Sequence, residues 1–477
     1  MRLYDLMPEF ANKYANIELA GITNDSRKVK DGYAFVCIKG PDRDGHDYAA
    51  SAKDAGASVI ITEKDLGFHN QIIVDDSFVT FYKMSSAWFD HPEKKIKLFG
   101  VTGTNGKTTV SYMLKGMLEA AGHKVGLIGT IQNLIGNTVY ESVNTTPGMY
   151  ELYELLAKMV SEGCDCCVME VSSHALDQRR VYGLEFEVGM FTNLTQDHLD
   201  YHHTMRAYLD AKKKLFEISK TAVLNLDDPS YNDIVSDIKI PYVSYSTVNN
   251  SATFTAKDIR FRPEYSEFYI LLNGSISKLK IPISGKFNLY NALCALGAAI
   301  TFGVGIADAA RGLAEMRSVS GRCEALNIQK DFSVIIDYAH TPDGLSNLLK
   351  TFSEYEKNRL VVLFGCGGNR DKTKRPQMGE IAAINADFII VTSDNPRNEE
   401  PSDIIEDIVV GVKRYKKPYI VIENREEAIN YAIQNALKGD IIVLAGKGHE
   451  KYQIIKEGKI HFDEREIVAK ALEKLED

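Results

Sequence analysis

The clearest chemistry in this sequence lies in Gly103-Thr104-Asn105-Gly106-Lys107-Thr108-Thr109. Glycines let backbone N–H groups close on phosphate oxygens, and a helix starting just after them adds positive charge at its N-terminus. Lys107 is spaced to reach the outer phosphates of a nucleotide, and the Thr108 hydroxyl to ligate Mg²⁺. The common phosphate-loop spacing wants glycine at 101, where this chain has Val101. The alternative is a glycine turn that merely precedes Lys-Thr. A second signal is Val168-Met169-Glu170-Val171-Ser172-Ser173-His174, an apolar run ending in a carboxylate and then hydroxyls. A carboxylate at a strand end beside a phosphate loop suits a hard cation, or else a helix cap.

Two histidines and two aspartates crowd the stretch Asp197-His198-Leu199-Asp200-Tyr201-His202, directly after a strand-like run. The bland reading is a solvated loop with an aspartate cap. Lys212-Lys213-Lys214 on a helical pattern reads, on pattern alone, as a solvated face. Further along, Asp337-Tyr338-Ala339-His340-Thr341-Pro342, Gly365-Cys366-Gly367-Gly368-Asn369-Arg370-Asp371, Asp394-Asn395-Pro396-Arg397 and Gly446-Lys447-Gly448-His449-Glu450 each close an apolar run. Polar clusters at strand ends are where α/β sheets bind ligands, and loops alone do not explain this recurrence.

The elements that must position these residues are legible in outline. Ile96–Val101 reads as a strand leading into the glycine loop, and 108–121 as the helix after it. Strand-like runs at 125–128, 166–171, 188–192 and 222–226 alternate with helical stretches, which argues a parallel sheet with crossover helices. Phe268-Tyr269-Ile270-Leu271-Leu272 followed by Asn273-Gly274 signals an antiparallel hairpin added to that sheet. Val- and Ile-rich runs at 333–336, 360–364, 388–392, 419–422 and 441–444, separated by helical patterns at 402–413 and 425–437, make a second sheet of Rossmann-like type. Short apolar runs at 34–38 and 58–61 belong to an earlier segment, and His91-Pro92-Glu93-Lys94-Lys95 reads as a linker. The expected fold class is α/β in three domains: 1–92, 93–321 and 322–477.

The chain has 477 residues, 44% apolar and 25% charged, which matches a globular protein of about three domains. A formal charge of −9 argues against a general nucleic-acid or anionic-membrane binder. No run approaches the roughly 18 apolar residues of a membrane span, and the first residues lack the pattern of a secretory signal. The seven cysteines include the crowded Cys164, Cys166 and Cys167 but no regular CxxC pair, so reduced thiols and a cytoplasmic setting are expected.

In order and over nearly the whole chain, these motifs resemble those of the Mur ligase family, ATP-dependent amide-forming enzymes of peptidoglycan synthesis. The 103–109 loop matches that family's own form of the phosphate loop. Asn144-Thr145-Thr146-Pro147, the serine-histidine run 172–174, the loop 197–202, GCGGNRDK at 365–372, DNPR at 394–397 and GKGHE at 446–450 match its diaminopimelate-adding branch. The resemblance implies an N-terminal α/β domain for a UDP-linked substrate, a central phosphate-loop mononucleotide-binding α/β domain and a C-terminal Rossmann-like domain for the amino acid. It implies ATP as phosphoryl donor, and UDP-N-acetylmuramoyl-L-Ala-D-Glu and meso-diaminopimelate as the molecules joined. Catalytic roles fall to Lys107, His198 and Lys212. Lys212 aligns with a lysine that this family carbamylates to N6-carboxylysine, leaving the bland reading to Lys213 and Lys214.

By the same resemblance Mg²⁺ is held by Thr108, Glu170 and His198. ATP meets Gly103, Thr104, Asn105, Gly106, Lys107, Thr108, Thr109, Asn291, Arg322 and Asp337. The UDP-substrate meets Ser26, Asn144, Thr145, Thr146, Ser172, Gln178 and Arg180. Diaminopimelate meets Arg370, Asp394, Asn395, Pro396, Arg397, Gly446 and Glu450. A guanidinium at 397 suits the carboxylate that distinguishes diaminopimelate from L-lysine, the alternative amino acid. A folylpolyglutamate synthase-like ligase or a non-catalytic nucleotide-binding protein are more distant alternatives. A monomer without nucleic-acid or membrane partners is expected.

Overall fold

Val- and Ile-rich runs bounded by turn residues become buried strands, because helices cover both faces of the sheets they form. The computed structural model describes residues 1–8, 17–40, 43–262, 265–272, 274–283, 285–316, 319–353, 355 and 357–475. The N-terminal strands β1 (Gly21–Thr23), β2 (Tyr33–Val36), β3 (Val59–Thr62) and β4 (Gln71–Ile73) pair in parallel and in sequential order. The helix Ser77–Trp88 begins where the Asp76 carboxylate accepts from the Val79 N–H. It buries Phe81 and Met84 in a cluster that also holds Leu98, Ile128 and Met169 of the central unit. The 91–95 stretch, expected as a linker, is a packed turn. Pro92 is buried and the Ser86 hydroxyl donates to Glu93 at 2.8 Å.

The central sheet contains β5 (Lys97–Thr102), β6 (Val125–Ile128), β7 (Gln132–Ile135), β8 (Thr138–Glu141), β9 (Cys166–Glu170), β10 (Phe186–Phe191), β11 (Ser219–Asn225), β12 (Tyr242–Ser246), β13 (Phe254–Phe261), β14 (Ser266–Leu272) and β15 (Ser275–Ile281). Its order is β15-β14-β13-β12-β11-β10-β5-β9-β6-β7-β8. From β13 through β6 the pairings are parallel, with β5 between β10 and β9. The expected antiparallel addition is present, with Leu272 opposite Ser275; Asn273 of the turn lies outside the described residues. A second antiparallel hairpin, β7–β8, borders the other edge. Its outer strand is mostly exposed, so it carries little of the alternation that marks a strand in sequence.

The C-terminal sheet orders β16 (Glu324–Ala325), β17 (Ser333–Asp337), β21 (Ile441–Ala445), β18 (Leu360–Phe364), β19 (Phe388–Val391) and β20 (Tyr419–Val421). All but β16 are parallel, and a hydrophobic cluster lies on each face. A small hairpin, β22 (Tyr452–Ile455) with β23 (Gly458–His461), follows the last parallel strand. Among the described residues no helix is long and apolar enough to cross a membrane.

Candidate active site

The loop after β5 is shaped by its glycines. Gly103 and Gly106 have φ of 144° and 89°, and a Cβ on either would collide with Thr192 Oγ1 or Asn291 Oδ1. The segment after β10 braces the loop. Asn193 accepts from the Thr104 N–H at 2.9 Å through its carbonyl and from the Asn105 N–H at 3.0 Å through its amide oxygen. The Thr192 hydroxyl donates to the Asn105 carbonyl at 2.6 Å. Lys107 opens the helix Lys107–Ala120 and folds back over the loop, donating to the carbonyls of Gly103 and Thr104 at 2.9 Å each. Burial lowers its pKa, against the pull of Glu170 and Asp197. Thr109 is buried beside it.

Glu170, at the end of β9, is 1% exposed, and its carboxylate collects hydroxyls. Thr108 and Thr130 donate to it at 3.0 Å each, and the Thr130 N–H at 2.8 Å. This oxygen-rich set, in a cavity of about 530 Å³, fits a hard divalent cation such as Mg²⁺. Arg322 reaches the same hydroxyl from the C-terminal side, donating to Thr108 Oγ1 at 3.1 Å. Its Nε is buried without a hydrogen-bond partner among the described residues, and its guanidinium lies 4.7 Å from the Tyr338 ring. Asp337 is buried and accepts from the Cys323 and Ala339 N–H groups at 2.7 Å each; burial raises its pKa. Asn291 is buried under Gly106.

His198 caps the short helix Leu199–His202 in the left-handed region, φ 54°, with Nε2 3.4 Å from Asp197. Burial lowers its imidazole, with His174 and the amines of Lys107 and Lys212 adding to the effect. The rings of His174 and His198 meet edge-on at 4.9 Å. Lys212 lies on the helix Met205–Glu217 and is 1% exposed, not solvated. It makes no hydrogen bond or carboxylate pair with the described residues; its nearest partner is the Tyr208 ring at 4.1 Å. Burial, and then Lys107, hold its pKa well below the ordinary lysine value of 10.5.

A second polar group lies beyond Glu170. Thr146 Oγ1 donates to the Glu170 carbonyl at 2.9 Å and accepts from the Ser172 N–H at 3.0 Å. Thr145 touches Thr130 at 3.0 Å, and Asn144 is exposed. Arg180 bonds the Gln178 amide oxygen and the Thr146 carbonyl, leaving its charge without a carboxylate among the described residues. Ser26 is outside the cavity, at the start of a turn after β1 that Asp25 caps.

In the C-terminal unit Arg397 is half-buried at φ 55° and bonds only carbonyls, Gly368 at 2.9 Å and Asn395 at 3.3 Å. Burial and then Arg370 lower its pKa. Arg370 lies on the exposed rim. Asp394 Oδ2 is buried and without a hydrogen-bond partner among the described residues, facing Gly446, whose φ is 112°. Pro396 is buried beside them. Asn395 donates to Glu450 at 2.9 Å and accepts from the Ile454 N–H at 2.9 Å. The central and C-terminal units touch across the cavity: Asn105 donates to Asp343 at 3.1 Å, and Gln196 to Asp371 at 3.3 Å.

Sequence reasoning assigned no site role to Thr130, Asn193 or Lys447. Thr130 follows β6 with no motif around it. Asn193 and Lys447 stand inside the stretches singled out, but their roles depend on contacts with residues about 90 and 50 positions away.

Three profiles of known families match this chain: Mur ligase family, catalytic domain, over residues 18–81; Mur ligase middle domain over 101–299; and Mur ligase, glutamate ligase domain, over 321–448. The chain is 47% identical over 465 residues to UDP-N-acetylmuramoyl-L-alanyl-D-glutamate--2,6-diaminopimelate ligase 1 of Clostridium acetobutylicum, covering 96% of each. It is 47% identical over 466 residues to the ligase of that name from Clostridium perfringens, covering 96% of this chain and 95% of the other. A solved structure of a UDP-N-acetylmuramoyl-L-alanyl-D-glutamate--2,6-diaminopimelate ligase superposes with a TM-score of 0.71 at 30% identity, covering 100% of this chain and 99% of that one. With profiles along its length and full-length relatives at this identity, the chain belongs to the Mur ligase family.

Proposed function

We infer that this protein is an ATP-dependent ligase that joins meso-2,6-diaminopimelate to UDP-N-acetylmuramoyl-L-alanyl-D-glutamate through an acyl phosphate. The observation that carries the reading is one cavity walled by the phosphate loop on one side and by loops of the C-terminal sheet on the other. The relatives' printed names supply the substrates. Residues 1–92 hold the UDP-substrate in this reading, with Ser26 at the uridine, 93–321 hold ATP, and 322–477 hold the amino acid. A single chain carries all three sites, which supports action as a monomer. Seven unpaired cysteines, six of them buried, support a cytoplasmic setting.

The reaction brings a substrate carboxylate to an anionic γ-phosphate, so its main requirement is charge neutralisation. Lys107, released from its two carbonyls by phosphate oxygens, supplies one positive charge. Arg322 supplies another from across the cavity through its unpartnered Nε. Thr108, Glu170 and His198 would hold Mg²⁺. Mg²⁺ held there would offset phosphate charge and favour in-line transfer. Arg180 anchors the anionic peptide. Lys212, an amine whose pKa burial lowers, can add CO₂ and lose a proton to become a carbamate, which would support the same cation. The carboxylate of the D-glutamate side chain takes the γ-phosphoryl group and ADP leaves. The amine of diaminopimelate, oriented by Arg397, attacks the acyl carbon, and phosphate and a proton depart.

The test is ADP release with ATP, Mg²⁺ and the UDP-dipeptide, with meso-diaminopimelate and L-lysine compared side by side. Turnover with diaminopimelate is expected. Turnover with lysine alone would keep the ligase and overturn the role of Arg397; turnover with neither would overturn the reading.

A further inference from the structure

Lys447 is 0% exposed. Its ammonium donates to Glu450 Oε2 at 3.0 Å and to Asn395 Oδ1 at 3.1 Å. Glu450 also accepts from the Asn395 amide at 2.9 Å, closing a three-membered ring of side chains. The Tyr452 and Phe462 rings flank the ammonium at 5.8 and 5.7 Å. Around this ring stand two carboxylates, Asp394 and Glu450, and two basic side chains, Lys447 and Arg397. Arg370 stays on the exposed rim, and the buried Arg425–Glu464 pair at 2.8 Å cancels internally. Tyr338, Tyr452 and His449 stand nearby uncharged: burial raises both phenols and lowers the imidazole to about 3. With Arg370 left aside at the rim, these two carboxylates and two cations sum to zero.

That sum is a specificity statement. The far end of diaminopimelate is a zwitterion, an ammonium beside a carboxylate, with no net charge. The far end of lysine is a lone cation. A pocket with balanced charges pairs both groups of the zwitterion, but offers the lone cation an anion and an unsatisfied guanidinium. We propose that Lys447, without touching the amino acid, is a positioning and specificity-determining residue, whose buried charge cancels Glu450 and keeps the pocket matched to a zwitterionic amino-acid terminus. This rests on the ligase reading above. It differs from a simple structural pin, because removing the Lys447 charge leaves the pocket net negative and so favours the cationic terminus.

The experiment measures kcat/KM for meso-diaminopimelate and for L-lysine in the full-length wild type, K447M, E450Q and K447M/E450Q, with KM for ATP alongside. Wild-type turnover of diaminopimelate establishes the underlying reading independently; its absence would overturn that reading first. In K447M the diaminopimelate-to-lysine ratio is expected to fall by roughly thirtyfold or more, the size associated with breaking a buried charge pair. KM for ATP should stay within about twofold, since the nucleotide contacts are untouched. E450Q makes the pocket net positive and should reject lysine further. K447M/E450Q restores neutrality and should recover part of the discrimination lost in K447M. An unchanged ratio in folded K447M, or equal rises in both KM values, would overturn the proposal. Should K447M fail to fold, E450Q decides: a lysine preference no lower than wild type would overturn it.

Discussion

At the scale of single residues, the candidate site is organised by basic groups left without an anionic partner among the described residues. Arg180, Arg322, Arg397 and Lys212 are at least half-buried, and none has a carboxylate hydrogen-bonded to it among the described residues. Charges are seldom buried this way unless a ligand completes them. Arg397→Ala should raise the KM for diaminopimelate by roughly a hundredfold, as for other truncations of a buried charged partner, and leave the KM for ATP unchanged. Equal effects on both would remove Arg397 from the amino-acid site. Lys212 offers a sharper test. Its native pKa is lowered, so below the ordinary value of 10.5 the unfolded chain binds a proton that the native state refuses. Native stability is therefore eroded as pH falls from that value toward the native pKa. Lys212→Met should abolish turnover yet melt higher than wild type in CO₂-free buffer, with the gap widening from pH 10 to pH 7. Bicarbonate should raise the melting temperature of the wild type only. A variant that melts lower at every pH would contradict the account.

At the scale of elements, function sits where parallel strands stop. The phosphate loop follows β5, Glu170 ends β9, and the histidine loop follows β10. Asp337, Asp394 and Gly446 stand at the ends of β17, β19 and β21. Several of these loops are conformationally costly. His198, Cys323, Asn369 and Arg397 all have φ between 45° and 55°, a region that side chains rarely adopt. Gly106 is the clearest case, since both its φ of 89° and the nearness of Asn291 exclude a side chain. Gly106→Ala should weaken ATP binding at least about tenfold, because the left-handed backbone alone costs roughly 1–2 kcal/mol in a non-glycine residue. Calorimetric titration with a non-hydrolysable nucleotide checks this, and circular dichroism should show an unchanged helix and sheet content. Wild-type affinity would mean the loop has another way to close.

At the scale of the whole molecule, the central and C-terminal units meet over the cavity beside the 103–109 loop through polar contacts, while the N-terminal sheet shares a hydrophobic core with the central unit. Polar interfaces of this kind permit rigid-body motion, and a reaction that gathers three ligands needs it. Asp343→Ala removes the acceptor for the Asn105 amide and leaves Arg322 and Gln196 to bridge the units. The variant should show a larger radius of gyration by small-angle scattering without ligands. Its kcat should be reduced roughly tenfold, as expected when a catalytic constellation is less fully assembled. Unchanged scattering and unchanged kcat would mean that contact does not govern closure.

The order of motifs, the parallel strands of both large sheets and the hairpin at 266–281 follow from the sequence, because apolar runs, turn residues and glycine loops act over short stretches of chain. So does membership in the wider family, since 103–109, 394–397 and 446–450 keep their spacing as linear strings. Other features depend on residues far apart in the chain. Lys212 reads as one of three solvated lysines until packing against Tyr208 buries it. Lys213, its neighbour, is buried as well, but Asp237 compensates it at 2.6 Å. Lys447 gains its meaning only when β21 brings it to Asn395 and Glu450. Linear spacing encodes which groups are present; burial and the balance of charge among them, which decide what each group can do, exist only once the chain has folded.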